Sequence, residues 1–265
     1  MDGMQDLTAT VAARPDFEVF KRYARQGNTA MLLERLAPTQ GYRPPRPDQP
    51  NAPHGTYNGR PIIGSGARID GGVYLGRKPR EAIVVDSRGA QGQLARVYHD
   101  LVNRVHGEVE AGLGATAVST SAFLREARRW FRTHLLTLLA DLIRREMPYD
   151  EAVVRDVAVI RALRPDDEVE LDIYVTARGG VCRHQVCLLG LVLELAVRDG
   201  WLVGEVHLDR KHVPGYFSHA WVRFVDPYGD VLILDPAQGL FTRWAELDEL
   251  GRHFYGRELA PNAQH

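Results

Sequence analysis

Two residue types are nearly missing from this 265-residue chain. Cysteine occurs only as Cys182 and Cys187, and lysine only as Lys21, Lys78 and Lys211. Two cysteines make no disulfide framework, and a chain this long buries a core without one. Five residues apart on one helix, they point about 140° apart at about 100° per residue. That is poor geometry for a disulfide and fits a reducing compartment. No apolar run reaches the roughly 18 residues of a membrane-spanning helix. Residues 1–6 are acidic and no apolar stretch follows, so no cleaved secretory leader is expected. The expected location is cytoplasmic, and export without a leader stays open.

An excess of one charge sign is also missing. Lys plus Arg is 33 and Asp plus Glu is 34, a net charge of -1. That balance argues against a generic nucleic-acid binder or a polybasic membrane binder, so neither partner is expected. The preference for arginine over lysine reads as coding bias. Apolar residues at 45% and charged residues at 25% are ordinary for a globular chain of one or two domains. No Walker A sequence occurs, and no Gly-x-Gly-x-x-Gly follows a convincing strand. Gly64-Ser65-Gly66 and Gly71-Gly72 read as turns. No cofactor is expected.

The chain divides into three stretches. Residues 15–36 predict two short helices: Phe17, Phe20 and Tyr23 share a face, and Met31, Leu32, Leu33 and Leu36 continue after Gly27-Asn28-Thr29. Six prolines from Pro38 to Pro53 predict an extended linker. A boundary is therefore expected at residue 55, with a helical arm at 1–55 and a catalytic domain at 56–265. Short strands are expected around Ile62, Tyr74 and Ala82–Val85. The middle, 91–163, is helical. Over 119–147 a stripe of Phe123, Ala127, Trp130, Phe131, His134, Leu135, Leu138 and Leu142 predicts one long helix. Ser119 to Ser121 can cap it, and Pro148 ends it. On that stripe His134 reads as a core histidine. Val169, Leu171, Ile173 and Val175 alternate with polar residues and predict a strand. Val181 to Arg198 is apolar nearly all round and predicts a buried helix stopped by Gly200. Strands are expected at 201–208, 217–225 and 231–234, the last two joined by the Asp226-Pro227-Tyr228-Gly229-Asp230 turn.

The chemistry sits in this third stretch. Cys182 opens the buried helix after Gly179-Gly180. A helix N-terminus offers unpaired N–H groups and partial positive charge, which favour a thiolate and can hold an oxyanion. The two glycines would let a substrate backbone approach. His219 is central in its strand and Asp235 ends the next. If Val225 pairs with Val231, Asp235 becomes the diagonal neighbour of His219 on one face, roughly 7–8 Å away between Cα atoms. Asp235 could then orient the ring and leave its other nitrogen for Cys182. A one-residue slip would separate them. Each residue alone has a plain explanation: a small buried thiol, a structural histidine, a turn-capping aspartate. Their joint order and placement are harder to explain that way. A zinc site from Cys182, His184, Cys187 and His219 does not match structural zinc spacing. His207, Asp209 and His212 read as a loop at the cleft rim.

Gly180-Val181-Cys182-Arg183, His219-Ala220-Trp221-Val222 and Leu234-Asp235-Pro236 resemble the three motifs of the transglutaminase-like superfamily of papain-fold cysteine enzymes. Tyr149-Asp150 is similar to an upstream element of that family. The likeness covers 147–240. It implies an α+β, papain-like fold, with a central cysteine-bearing helix packed on an antiparallel sheet carrying His and Asp. It also implies Cys182 as nucleophile, His219 as base and Asp235 as orienter. His184 and Gln185 stand where the family more often has small or other polar residues. His184 would line the site or be solvated. Tyr174 and Gln185 are the candidate oxyanion side chains, and only the N–H of Cys182 is assigned.

The expected activity is acyl transfer from an amide or peptide carbonyl through a thioacyl intermediate. The family includes proteases, amidases, deamidases and amine transferases. Hydrolysis or deamidation is favoured because water is always available, and the expected partner is a protein, peptide or small amide substrate. The alternative is a binding or scaffold protein on the same fold. Oligomeric state is not readable.

Overall fold

The structure is a computed structural model, and it describes residues 28–113, 119–213 and 217–256. Helix α1 (Asn28–Leu36) is followed by β1 (Tyr42–Arg43), β2 (Thr56–Tyr57), β3 (Arg60–Pro61), β4 (Gly72–Tyr74) and β5 (Ala82–Val85). Three helices come next, α2 (Gln93–Leu113), α3 (Thr120–Glu146) and α4 (Glu151–Ile160), then β6 (Glu168–Glu170) and α5 (Leu171–Thr176). The remaining elements are α6 (Cys182–Arg198), β7 (Glu205–Val213), β8 (Phe217–Val225), β9 (Val231–Asp235), β10 (Leu240–Arg243) and α7 (Glu249–Tyr255). The architecture is α+β, and the described residues form three sheets ordered β1-β2-β3, β4-β5-β6 and β10-β9-β8-β7.

The last sheet is an antiparallel meander, and its two faces have different partners. Leu208, Ala220, Val222, Phe224 and Leu234 join the main core with Val186 to Ala196 of α6. Trp221 and Ile233, of opposite strand parity, pack with Leu247, Phe254 and Tyr255 beneath α7. Where α6 crosses β7 there is no room for a side chain: a Cβ on Gly190 would lie 2.4 Å from Leu208 Cδ1. Strands β8 and β9 pair Val225 with Val231 and Val222 with Leu234, the register expected from the turn. Asp226 holds that turn by accepting from Tyr228 N and Asp230 N, and Gly229 takes φ +87°.

Helix α3 is capped by Ser119 as expected. His134 is not in the core. It is exposed, stacks on Trp130 at 4.1 Å and hydrogen-bonds Trp130 O at 2.9 Å. The apolar stripe is narrower than the sequence pattern implies, because Trp130 and His134 sit at its solvent edge. The strand expected over 169–175 is three residues of β6 followed by α5. Seven residues satisfy both periods, and burial of Leu171, Tyr174 and Val175 at i, i+3 and i+4 decides for helix. Helical geometry also lets buried Asp172 accept Leu94 N at 3.0 Å and Gln93 N at 3.3 Å, capping α2 across the chain. The strand expected at 201–208 begins only at Glu205, since Trp201 and Leu202 bury in the main core. His207, Asp209 and His212 therefore lie in β7, not in a loop.

The first expected helix, around Phe17, Phe20 and Tyr23, lies outside the described residues. The second is α1, and Leu32 and Leu36 are 1% and 0% exposed. They pack with Tyr57, Ile62, Val73, Leu75, Ala82 and Val84. The boundary expected at residue 55 falls between β1 and its ladder partner β2, which turns into β3 through Asn58 and Gly59, both at positive φ. Leu36→Ala is expected to cost about 2–5 kcal/mol in denaturant unfolding, as for other fully buried leucines. A change under about 0.5 kcal/mol would mean that α1 is not part of this packing.

Candidate active site

Helix α6 begins at Cys182, with Val181 as the N-cap residue. Its start is held from several sides. Gly180 bridges Tyr149, and Asp150 N donates to Gly180 O at 2.8 Å. Gln185 Nε2 donates to Met147 O at 3.0 Å. Val181 N donates to His184 Nδ1 at 3.2 Å. Gly179 and Gly180 do not face a substrate. A Cβ on the first would lie 2.7 Å from Val153 Cγ2, and on the second 2.7 Å from His184 Cβ and 3.0 Å from Met147 Sδ. The glycines are there so that the backbone can pack closely before the helix.

His184 is fully buried rather than solvated, its ring tilted 41° against that of Tyr174 with centroids 4.0 Å apart, and its Nε2 lies 3.1 Å from Glu81 Oε1. Burial dominates and lowers its pKa to about 4, so the ring is neutral at pH 7. Arg183 donates to Glu81 Oε1 from Nε at 2.9 Å and from Nη2 at 2.6 Å. Burial opposes the Glu81 charge, but His184 and Arg183 outweigh it and hold the carboxyl at about 2. Tyr174 and Gln185 are both buried, and neither lines the cleft beside Cys182. Cys187 is fully buried, and burial pushes its thiol well above the ordinary range. Among the described residues no three His, Cys, Asp or Glu side chains are grouped to hold a metal ion.

Cys182 is partly exposed and lines a cleft together with His219. His219 Nε2 and Asp235 Oδ2 are 2.5 Å apart. Asp235 leaves the other ring nitrogen unoccupied, and Cys182 lies in the same cleft as the imidazole. The structure thus brings all three sequence-predicted residues together: Asp235 pairs with His219, and His219 shares its cleft with Cys182. Burial disfavours charge on the ring, but Asp235 and then Cys182 outweigh it and raise the imidazole from 6.5 to about 10. Asp235 is 0% exposed. Its Oδ1 accepts Gln238 N at 3.2 Å, and its Oδ2 also accepts the Tyr255 hydroxyl at 2.9 Å. No family model, curated protein or solved structure matches this chain.

Two neighbours escape a sequence reading. Tyr255 comes from α7, twenty residues after Asp235, and no local pattern ties it to the hairpin. Lys211 stands opposite His219 in the β7–β8 ladder, is 4% exposed, and donates to Phe254 O. Burial lowers its ammonium from 10.5 to about 8, with Asp209 opposing. The only sequence signal was its alternation with Asp209, which reads as strand once β7 is recognised.

His219 binds its proton more tightly folded, at about 10, than unfolded, at about 6.5. Its contribution to stability is therefore complete below pH 6.5 and fades as pH rises through 10. The unfolding free-energy difference between wild type and His219→Gln should be largest below pH 6.5 and shrink towards pH 10. A difference that does not vary with pH would mean the ring is not held as a cation. Tyr255→Phe should weaken stability by about 1–3 kcal/mol, the cost of depriving a buried carboxylate of one donor.

Proposed function

We propose that this chain is a cysteine-dependent acyl-transfer enzyme with a transglutaminase-like, papain-type core. The observation that carries the reading is the Asp235–His219 pair set in one cleft with a partly exposed thiol at a helix start. A purely structural histidine has no need of a partly exposed thiol beside it in a cleft.

In this reading the Cys182 proton already rests on His219, as a thiolate–imidazolium pair, and Sγ attacks an amide or peptide carbonyl. The first N–H groups of α6 lack intrahelical partners and stabilise the oxyanion. Collapse of the tetrahedral species breaks the C–N bond, and His219 returns its proton to the departing amine. A thioester to Cys182 remains. Water, deprotonated by His219, then attacks the thioester and releases the acid and the thiol. An amine in place of water gives transfer. Hydrolysis or deamidation is the favoured outcome, because the cleft is open to solvent at Cys182. Asp235 holds the ring tautomer and offsets the imidazolium charge, and Tyr255 holds Asp235.

Alkylation by iodoacetamide tests this directly. Cys182 should react near neutral pH faster than free cysteine, and His219→Ala should remove the excess rate. Asp235→Asn should lower the rate or turnover by about 10²-fold while the protein stays folded. Cys182→Ala should be inactive, whereas Cys187→Ala should lose stability through a small cavity and keep its chemistry. A Cys182 thiol no faster than free cysteine would leave the fold as a binding scaffold.

A further inference from the structure

The chain carries almost no net charge, yet the cleft beside Cys182 and His219 is lined by Arg77, Lys78, Arg80, Arg183, Arg210 and Lys211. Among its described lining residues none is acidic. Two of the chain's three lysines are here. The nearby carboxylates are taken elsewhere. Glu81 is held by Arg183, Asp209 by Arg223 at 2.7 Å, and Asp235 by His219 and Tyr255. Arg77, Lys78 and Arg80 make no side-chain hydrogen bond or ion pair among the described residues, and Lys78 and Arg80 are exposed.

These three cations sit on one short loop, 76–80, between β4 and β5, and the loop is tied down at both ends. At its start Arg210 donates to Leu75 O and Ile63 O, each at 2.6 Å, with its guanidinium 4.2 Å over the Tyr74 ring. At its end Arg80 O accepts Asp166 N at 2.5 Å, and Asp166 is itself paired with Arg35. Within the loop, Gly76 comes so close to its own turn that a Cβ would lie 2.9 Å from Lys78 O. A tethered loop keeps like charges together at the cleft mouth at a cost in mutual repulsion. Folding alone gives no reason for that cost, whereas an anionic ligand would offset it.

We infer that the cleft is built for an anionic acyl donor: a peptide or amide carrying carboxylate or phosphate groups beside the carbonyl that Cys182 attacks. The inference rests on the acyl-transfer reading and names its substrate class. The loop cations draw the donor in and orient it, while Cys182 and His219 act on the neutral carbonyl.

Charged thiol reagents test the cleft without a known substrate. Cys187 is fully buried, so Cys182 is the thiol that reacts. The rate with 2-sulfonatoethyl methanethiosulfonate, divided by that with the 2-trimethylammonioethyl reagent, is compared with the same ratio for free cysteine. The normalised ratio should be about tenfold or more at low salt. It should fall as ionic strength rises from about 0.01 to 1 M and the screening length contracts from about 30 to 3 Å. In the triple variant Arg77→Gln, Lys78→Gln, Arg80→Gln it should drop at least threefold relative to wild type. Because both reagents meet the same thiol, a change in its intrinsic reactivity cancels in the ratio. A second arm measures protection of Cys182 from iodoacetamide by glutamine peptides flanked with glutamate, phosphoserine or lysine. Protection by either acidic peptide at a tenfold lower concentration than the lysine peptide supports the inference, and the better of the two names the anion. A ratio near one, a ratio unmoved in the triple variant, or equal protection by acidic and basic peptides would overturn it. The acyl-transfer reading fails by a different result, an iodoacetamide rate unaffected by His219→Ala.

Discussion

Asp235 is a carboxylate with no exposure to water, reached by the hydroxyl of Tyr255, which packs with Trp221 and Phe254. A buried charge without partners costs several kcal/mol, so its surroundings must supply donors. They come from three elements: His219 of β8, the hydroxyl of Tyr255 in α7, and the backbone of Gln238 in the turn after β9. Each donor fixes one piece of the fold relative to another. The hairpin register, the turn and the seating of α7 are thereby linked at one carboxylate. The same linkage fixes the imidazole that faces Cys182.

The thiol side is assembled by different means. Cys182 has no charged partner on its own element. Its position comes from the start of α6, which backbone bonds to Pro148 and Asp150, the Gln185 amide and the buried His184 ring all restrain. Bonds of this kind are short-ranged and directional, so they fix the helix end without adding charge beside the sulfur. Electrostatics thus govern the histidine and packing governs the cysteine. Gly190 completes the arrangement by letting α6 lie close on β7.

The charge around the cleft follows a different logic from the charge of the chain. Positive and negative residues balance along the sequence, but the fold pairs the nearby acids internally and leaves Arg77, Lys78 and Arg80 at the mouth. A local field of one sign can therefore coexist with a net charge near zero. Net charge speaks to bulk partners such as nucleic acid, and only the placement of pairs speaks to a small site.

Elements with one strong period were legible in the sequence by itself: α3 with its Ser119 cap, α6 from Cys182 to Arg198, and the hairpin whose turn sets the β8–β9 register. From that register followed the shared face of His219 and Asp235, because strand side chains alternate strictly. Tertiary structure alone decided the rest. Residues 169–175 satisfy two periods, and burial of Leu171 with Tyr174 chose helix over strand. His134 left the core because a stripe at helical spacing does not tell how wide the covering surface is. Gly179 and Gly180 turned to Val153, Met147 and His184. Tyr255, Lys211 and the loop cations joined the site through contacts far apart along the chain, and such contacts leave no periodic trace in a linear pattern.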